Sequence, residues 1–473
     1  MSRFKPSRHS GGAVYTGLPV PPRTPVAAPS TPAAIPPVPI QTAAKPAAEA
    51  TPNIFQKLGL YTLIAYLLSS SANEWTLRLF GGKAYLSSIG LILLPILFLI
   101  SGTPLRSLKD RLGWLWLGFL ACMLLATPFS VWKSASLLFL GSYIPRSYLL
   151  FFYVSAFAIT LADVRNVMYT LLFSDVVLLL TCWKFGISND IDRFYIPESL
   201  LYTNANELAL ALTLAITHFL FLMYVGNLPK HVLTVVAIAI ALFYMLKCAS
   251  RGCTLALIAL LGVVFLLSQK KAVVVLITLP VLLLALALTP NNALHRLKLI
   301  GYTVSMVGAE NVEDLSAIES QLERQELFKR SLYQTFKHPL LGVGPNQFVV
   351  ADSGDKEKAG QRSNWLGTHN SYTQVSSECG IPAFLCYAAV IVFSGRMSLR
   401  LYKRARGSLD PRLKEVAALA FALFTGLIVY AVATTFFHMA YTGALPMLAG
   451  MTLVLNMNAR ALLEETACSP ARV

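Results

Sequence analysis

Gly342-Val343-Gly344-Pro345-Asn346-Gln347-Phe348 is followed, across a polar stretch, by His369-Asn370-Ser371-Tyr372-Thr373-Gln374 and then by Gly380. These residues close the one long polar segment of a chain otherwise built from apolar runs. Outward from this island, in both directions, the sequence reads as membrane. Of its 473 residues 55% are hydrophobic and 13% charged, whereas soluble domains carry roughly 25% charged residues. Apolar runs lie at 54–72, 85–102, 112–130, 147–162, 166–185, 205–225, 231–248, 252–268, 272–289, 380–396, 414–432 and 441–457. Each is near the ~20 residues that carry a helix across a ~30 Å hydrocarbon core. The expected fold is an all-α polytopic membrane protein with about twelve transmembrane helices.

The net charge of +16 would suggest nucleic acid in a soluble chain. Here it fits cytoplasmic loops, where Lys and Arg set topology. Residues 1–52 are rich in Pro, Ala and Thr and carry Arg3, Lys5, Arg8, Arg23 and Lys45. They have too little apolar surface to offset ordering entropy and are expected to be a disordered cytoplasmic extension. They show no signal-peptide core, so the first membrane helix is expected to do the targeting. Starting inside, the cytoplasmic loops fall at 103–111, 163–165, 226–230, 269–271 and 397–413, the last holding Arg400, Lys403, Arg404, Arg406 and Arg412. The outward loops are then 73–84, 131–146, 186–204, 249–251, 290–379 and 433–440. Helices at 53–289 and 380–457 flank a small helical domain at 290–379, and 458–473 form a cytoplasmic tail. In that domain Ser316-Ala317-Ile318-Glu319 reads as a capping box opening a helix. Leu322, Phe328, Leu332 and Phe336 give that helix an apolar stripe, and Pro339 ends it.

His369 offers a neutral imidazole near pH 7, able to take a proton from an attacking hydroxyl; a loop histidine making structural hydrogen bonds is the plainer alternative. Arg146, Arg193 and Arg251 fall on the outward side, where topology does not call for cations. Each could be an interfacial anchor. Three on the face that presents His369 suggest paired N–H donors for a lipid-linked phosphate or diphosphate. Asp190-Ile191-Asp192 is the DxD pattern that holds a metal and a nucleotide diphosphate in many glycosyltransferases, but its loop faces away from nucleotide sugars. Glu74 is the other carboxylate that could assist a metal. The seven cysteines show neither CxxC nor zinc spacing. No Walker loop, dinucleotide fingerprint or HExxH is present, which argues against ATP-driven work. Asp175 and His218 are the obvious ionisable residues deep in helices, fewer than a transporter path would use.

The residues also carry a resemblance. His369-Asn370 followed by Gly380 after nine residues resembles the His-[Asn/Ser/Gln]-x9-Gly signature of the O-antigen ligase (WaaL-like) family, in the Wzy/O-antigen ligase superfamily. Ala383 stands where that family often has Gly, Thr or Tyr. Arg324-x-x-Leu327-Phe328, leading to His338-Pro339-Leu340-Leu341-Gly342-Val343-Gly344, is similar to the family's approach to that signature. Asn204-Ala205-Asn206-Glu207-Leu208-Ala209 and Ser250-Arg251-Gly252 resemble its Asn-Pro-Asn-x-x-Ala and Ser-Arg-Gly segments, with Ala205 replacing Pro. The resemblance spans roughly residues 55–460. It implies a GT-C-type fold in the bacterial inner membrane, with 290–379 in the periplasm. It implies a glycan donor on undecaprenyl diphosphate, a lipid A-core acceptor, and catalysis without cofactor, metal or ATP. On this resemblance His369 is the catalytic residue, and Arg193, Arg251 and, less closely, Arg146 bind the diphosphate. Asn370, Arg324 and Asn206 support them. O-antigen polymerases and protein O-oligosaccharyltransferases share the histidine region.

Overall fold

The computed structural model describes residues 51–80, 85–188, 193–199, 201–202, 204–291, 294, 312–362 and 365–468. Most of the N-terminal extension and the Asp190-Ile191-Asp192 string lie outside the described residues. The chain is an all-α polytopic membrane protein. In a bilayer each backbone N–H and C=O must be satisfied within its own segment, which favours helices.

The helices are α1 (Ile54–Ser71), α2 (Asn73–Phe80), α3 (Tyr85–Ile100), α4 (Arg111–Ala126), α5 (Lys133–Tyr143) and α6 (Leu150–Phe157). They continue with α7 (Leu161–Phe185), α8 (Ala205–Val225), α9 (Leu228–Lys247), α10 (Arg251–Leu267) and α11 (Lys271–Leu288). The last five are α12 (Val312–Lys337), α13 (Phe348–Lys358), α14 (Ser371–Ala405), α15 (Pro411–Ala433) and α16 (Ala444–Cys468). A two-stranded hairpin, Ile187–Ser188 with Phe194–Tyr195, follows α7. Among the described residues eight helical segments are long and apolar enough to span a membrane, and α3 and α10 are shorter apolar helices. Eleven of the twelve apolar runs fall largely on one helix, whereas the run at 147–162 takes in the end of the Lys133–Phe157 segment and the start of α7.

Side-chain caps explain several starts. Asn53 and Gln56 form a reciprocal capping box at α1, and Thr160 and Asp163 form one at α7. Asn204 caps α8, Asn370 caps α14 and Asp410 caps α15. Helix α15 is the hub: it packs on α8, α10, α14 and α16, and 78% of its span is buried. At the other extreme α11 packs chiefly on α9 and α10, with 6% of its span buried.

Several boundaries differ from the sequence reading. The expected outward loop 131–146 is mostly helix: Lys133–Phe157 runs continuously through a π-turn at Ile144–Tyr148. Arg146 therefore lies inside a spanning segment rather than at its start. Residues 163–165 belong to α7, and α16 extends through the expected tail to Cys468. The Ser316–Glu319 segment does not open a helix, because α12 already runs from Val312. The apolar stripe of α12 is not its buried face: Leu322, Phe328 and Phe336 are exposed and Leu332 is half-buried. The face that packs carries Leu327, Ser331, Gln334 and Thr335, and the Thr335 hydroxyl meets that of Ser376 at 2.8 Å. Helix α13 occupies much of the expected loop 351–367 and is tied to α12 by Arg330–Asp352 and by Lys337–Asp355 at 2.8 Å.

Candidate active site

The polar island folds back on the start of α14. Asn370 accepts hydrogen bonds from the Tyr372 and Thr373 N–H groups at 2.9 and 3.0 Å, and its amide donates to the Thr435 carbonyl at 3.0 Å. Asn370 is thus a helix cap and a strut, which explains why a short side-chain carbonyl follows the histidine. The Ser371 hydroxyl donates to Phe437 O at 2.6 Å and accepts from Met439 N–H at 2.8 Å. Tyr372 donates its hydroxyl to Ala431 O at 2.8 Å. These bonds stitch the α15–α16 connection onto the N-terminus of α14.

The nine residues between Asn370 and Gly380 form the first turns of α14, which then breaks. Gly380 has φ 86° and ψ 169°, a left-handed conformation that favours glycine. A Cβ there would collide with the carbonyl of Leu340, because the turn at 339–344 crosses the break. That crossing is a set of backbone bonds: Ile381 N–H to Pro339 O at 2.7 Å, Val343 N–H to Ser377 O at 2.9 Å and Gly344 N–H to Glu378 O at 2.8 Å. The buried Glu378 carboxylate completes the clamp, accepting from Asn346 N–H at 2.9 Å and the Tyr441 hydroxyl at 2.7 Å. The His-x-Gly spacing is therefore the length of helix between the histidine and the crossing. Gly380 is the kink between two helices, so the spanning helix begins there, as its place at the head of an apolar run suggested.

His369 sits immediately before this capped start, half-buried, with φ 50°. A non-glycine residue in that region is uncommon, and such strain gathers at functional sites. Its imidazole is edge-on to that of His438, with ring centroids 5.1 Å apart. Burial first, then His438 and Arg324, push the His369 pKa down to about 4. The ring is consequently neutral at pH 7 and carries a free lone pair. Burial also lowers His438, against the opposing charge of Glu207.

The arginines converge on the same end of the bundle. Arg193 follows the hairpin turn; its Nε donates to Cys248 O at 3.2 Å and its Nη2 to Asn206 Oδ1 at 2.8 Å. Asn206, in the first turn of α8, so positions Arg193. Arg251 opens α10 and donates to Gln321 on α12 at 3.2 Å. Gly252 next to it lets α10 approach Phe436 and Phe437, which a Cβ would strike. Arg324 lies one turn along α12 from Gln321. Burial, together with Arg324 and Arg251, lowers the pKa of Arg193, and Arg324 also acts on His369. Arg193, Arg251, Arg324 and His369 thus share one electrostatic neighbourhood. The structure does not bring Arg146 into it by any described contact: the residue is exposed on the π-turn, where its carbonyl accepts from Tyr66 at 3.3 Å.

His438 stands in the short 433–440 loop with no motif around it, and Glu378, Gln321 and Tyr441 were not singled out by sequence. Glu378 left one signal, an acid two residues before Gly380 at the edge of an apolar run. His338 follows the end of α12, exposed, as its place before Pro339 implied. Asp175 and His218 form a buried pair at 2.9 Å between α7 and α8. Glu74 is buried against the Ser199 hydroxyl at 2.6 Å. Among the described residues no three His, Cys, Asp or Glu side chains gather as metal ligands.

The fold and site define a polytopic helical membrane protein with a histidine–arginine cluster at one end of its bundle. Residues 236–388 match the family model described as O-antigen ligase (Wzy_C). The matched stretch, about a third of the chain, is similar to the O-antigen ligase family, a glycosyltransferase-like ligase group. The matched region contains Arg251, Arg324, His369 and Gly380; Arg193, Asn206 and His438 fall outside it. No curated protein matches the chain.

Proposed function

We propose that this protein is an O-antigen ligase of GT-C type in the bacterial inner membrane. It moves a glycan from undecaprenyl diphosphate to a sugar hydroxyl of lipid A-core at the periplasmic face, in lipopolysaccharide biosynthesis. The observation that carries this reading is a neutral, half-buried His369 that feels the charge of Arg324, in one electrostatic neighbourhood with Arg193 and Arg251, two arginines held by hydrogen bonds.

The diphosphate leaving group already holds the driving force, so the site needs charge stabilisation and a base. Arg193 and Arg251 grip the diphosphate, and Arg324 adds positive potential between them and His369. The acceptor hydroxyl oxygen bonds to the anomeric carbon as the bond from that carbon to the diphosphate oxygen breaks. The hydroxyl proton passes to His369, and undecaprenyl diphosphate leaves with the bonding pair. A base with a pKa near 4 is weak at neutral pH. The bound diphosphate supplies the negative charge that raises the pKa as the site fills.

The test is a reaction of purified protein with lipid-linked glycan and lipid A-core, without metal or ATP. Glycan on lipid A-core is the expected product. Elongated lipid-linked glycan would make the protein a polymerase, and glycan on a protein acceptor would make it an oligosaccharyltransferase. A requirement for a metal or ATP would overturn the mechanism.

A further inference from the structure

Helix α11 stands off the bundle, and a cavity of about 510 Å³ runs between it and α8, α9 and α10. That is within the ~300–1,000 Å³ range of ligand sites. Its walls are apolar, with Leu220, Leu242, Leu260, Val264 and Ile277 among them. One mouth is different: Ser268, Gln269, Lys270, Tyr402 and Arg406 line it, and among the described residues no Asp or Glu lines the cavity. Tyr224 donates its hydroxyl to that of Tyr402 at 3.0 Å, and the Arg406 guanidinium lies 5.8 Å from the Tyr402 ring. Helix α14 starts beside His369 and carries Tyr402 near its other end. The polar mouth is therefore at the opposite end of the bundle from the arginine cluster.

We propose that this cavity holds an acyl chain of an anionic phospholipid from the leaflet at the Arg406 end, with the phosphate bound by Arg406 and Lys270. An apolar slot inside a bilayer is filled by what surrounds it, and here that is lipid. Two cations and two tyrosine hydroxyls at headgroup depth, with no carboxylate among the described lining residues, select a negative headgroup. The lipid chain takes the place of the protein neighbours that α11 lacks. The donor glycolipid is a poor occupant, because its diphosphate belongs at the other end of the bundle.

The test is native mass spectrometry of the protein taken from vesicles of phosphatidylethanolamine and phosphatidylglycerol. Wild type should retain phosphatidylglycerol in preference to phosphatidylethanolamine. In the Lys270→Ala, Arg406→Ala double variant that preference should fall roughly thirtyfold, two cations' worth of headgroup attraction. Val264→Phe, which narrows the slot and keeps the cations, should release the lipid with Tm of the bundle as a check on folding. Equal retention of both lipids by wild type, or retention indifferent to these changes, overturns the proposal. So does displacement of the lipid by a polyprenyl diphosphate.

Discussion

Both ends of the bundle are cationic, but the cations are held differently. At the far end Lys403, Arg404 and Arg406 on and just past α14 are exposed, and Arg412 pairs with Asp410 at 3.2 Å on the surface. Such charges orient a membrane protein by number and need no fixed geometry. At the His369 end Arg193 and Arg251 are ordered by hydrogen bonds to Cys248 O, Asn206 and Gln321, and beyond burial the charge of Arg251 helps to lower the pKa of Arg193. Holding like charges together opposes their repulsion. Among the described residues, hydrogen bonds to Cys248 O, Asn206 and Gln321 help to hold them in place. Cation count alone does not distinguish the two ends; convergence does.

Substitutions sharpen this contrast. His369→Ala should reduce glycan transfer by about 10²–10⁴-fold, the usual worth of a general base, with donor binding unchanged. Arg193→Ala should reduce transfer by roughly 10²–10³-fold and weaken donor binding as well. Arg193→Lys should recover only part, because it keeps the charge and loses the planar fork. If Arg404→Ala at the far end costs as much as Arg193→Ala, the contrast between the ends fails. Gly380→Ala forces a Cβ onto the Leu340 carbonyl at positive φ. It should lower stability by about 1–3 kcal/mol, read as a drop in Tm.

Topology gives an all-or-none version of the comparison. With the His369 end in the periplasm, a cysteine replacing Glu357, exposed on α13, should react with a membrane-impermeant reagent in a cysteine-free background. A cysteine replacing Leu409, 88% exposed at the far end, should stay unlabelled. The opposite pattern would put the arginine cluster on the wrong face. The smallest effect is in the pH profile. His369 loses its proton near pH 4 in the empty site, whereas an unperturbed histidine does so near 6.5. The active base form is the unprotonated one, so kcat/KM should stay level as pH falls through 6.5 and drop only near 4. Between those values the unfolded chain binds a proton that the folded chain does not, so stability should decline as pH falls across that window.

Much of the fold could be read from hydropathy, because spanning helices must be apolar along most of their length. The exceptions have physical causes. Lys133, Ser134, Ser136 and Pro145 interrupt the apolar pattern of α5 and its π-turn. The helix persists because Ser136 is buried, bonding to Ser130 at 2.8 Å and to Pro345 O at 3.0 Å. On α12 the 3.6-residue period marked an apolar face, but three of its four residues, Leu322, Phe328 and Phe336, are exposed. Lipid can stand where a soluble protein would need a core, so periodicity does not say which face meets protein. In the site, the His369–Gly380 spacing was visible since helix length and crossing are local. His438 was not, since only the folded α15–α16 connection brings it to His369. Arg146 shows the converse: its outward place in the sequence matched Arg193 and Arg251, and its neighbours in space do not.

The central claim is that His369 takes the proton of the acceptor hydroxyl while arginines hold the diphosphate. The most direct measurement is transfer by His369→Ala in the presence of added imidazole. A free base that fits the vacated space should restore transfer in proportion to its unprotonated fraction, and should do nothing for Arg193→Ala. Transfer by His369→Ala at the wild-type rate would contradict the claim. So would a variant that binds donor normally and gains nothing from imidazole at any concentration.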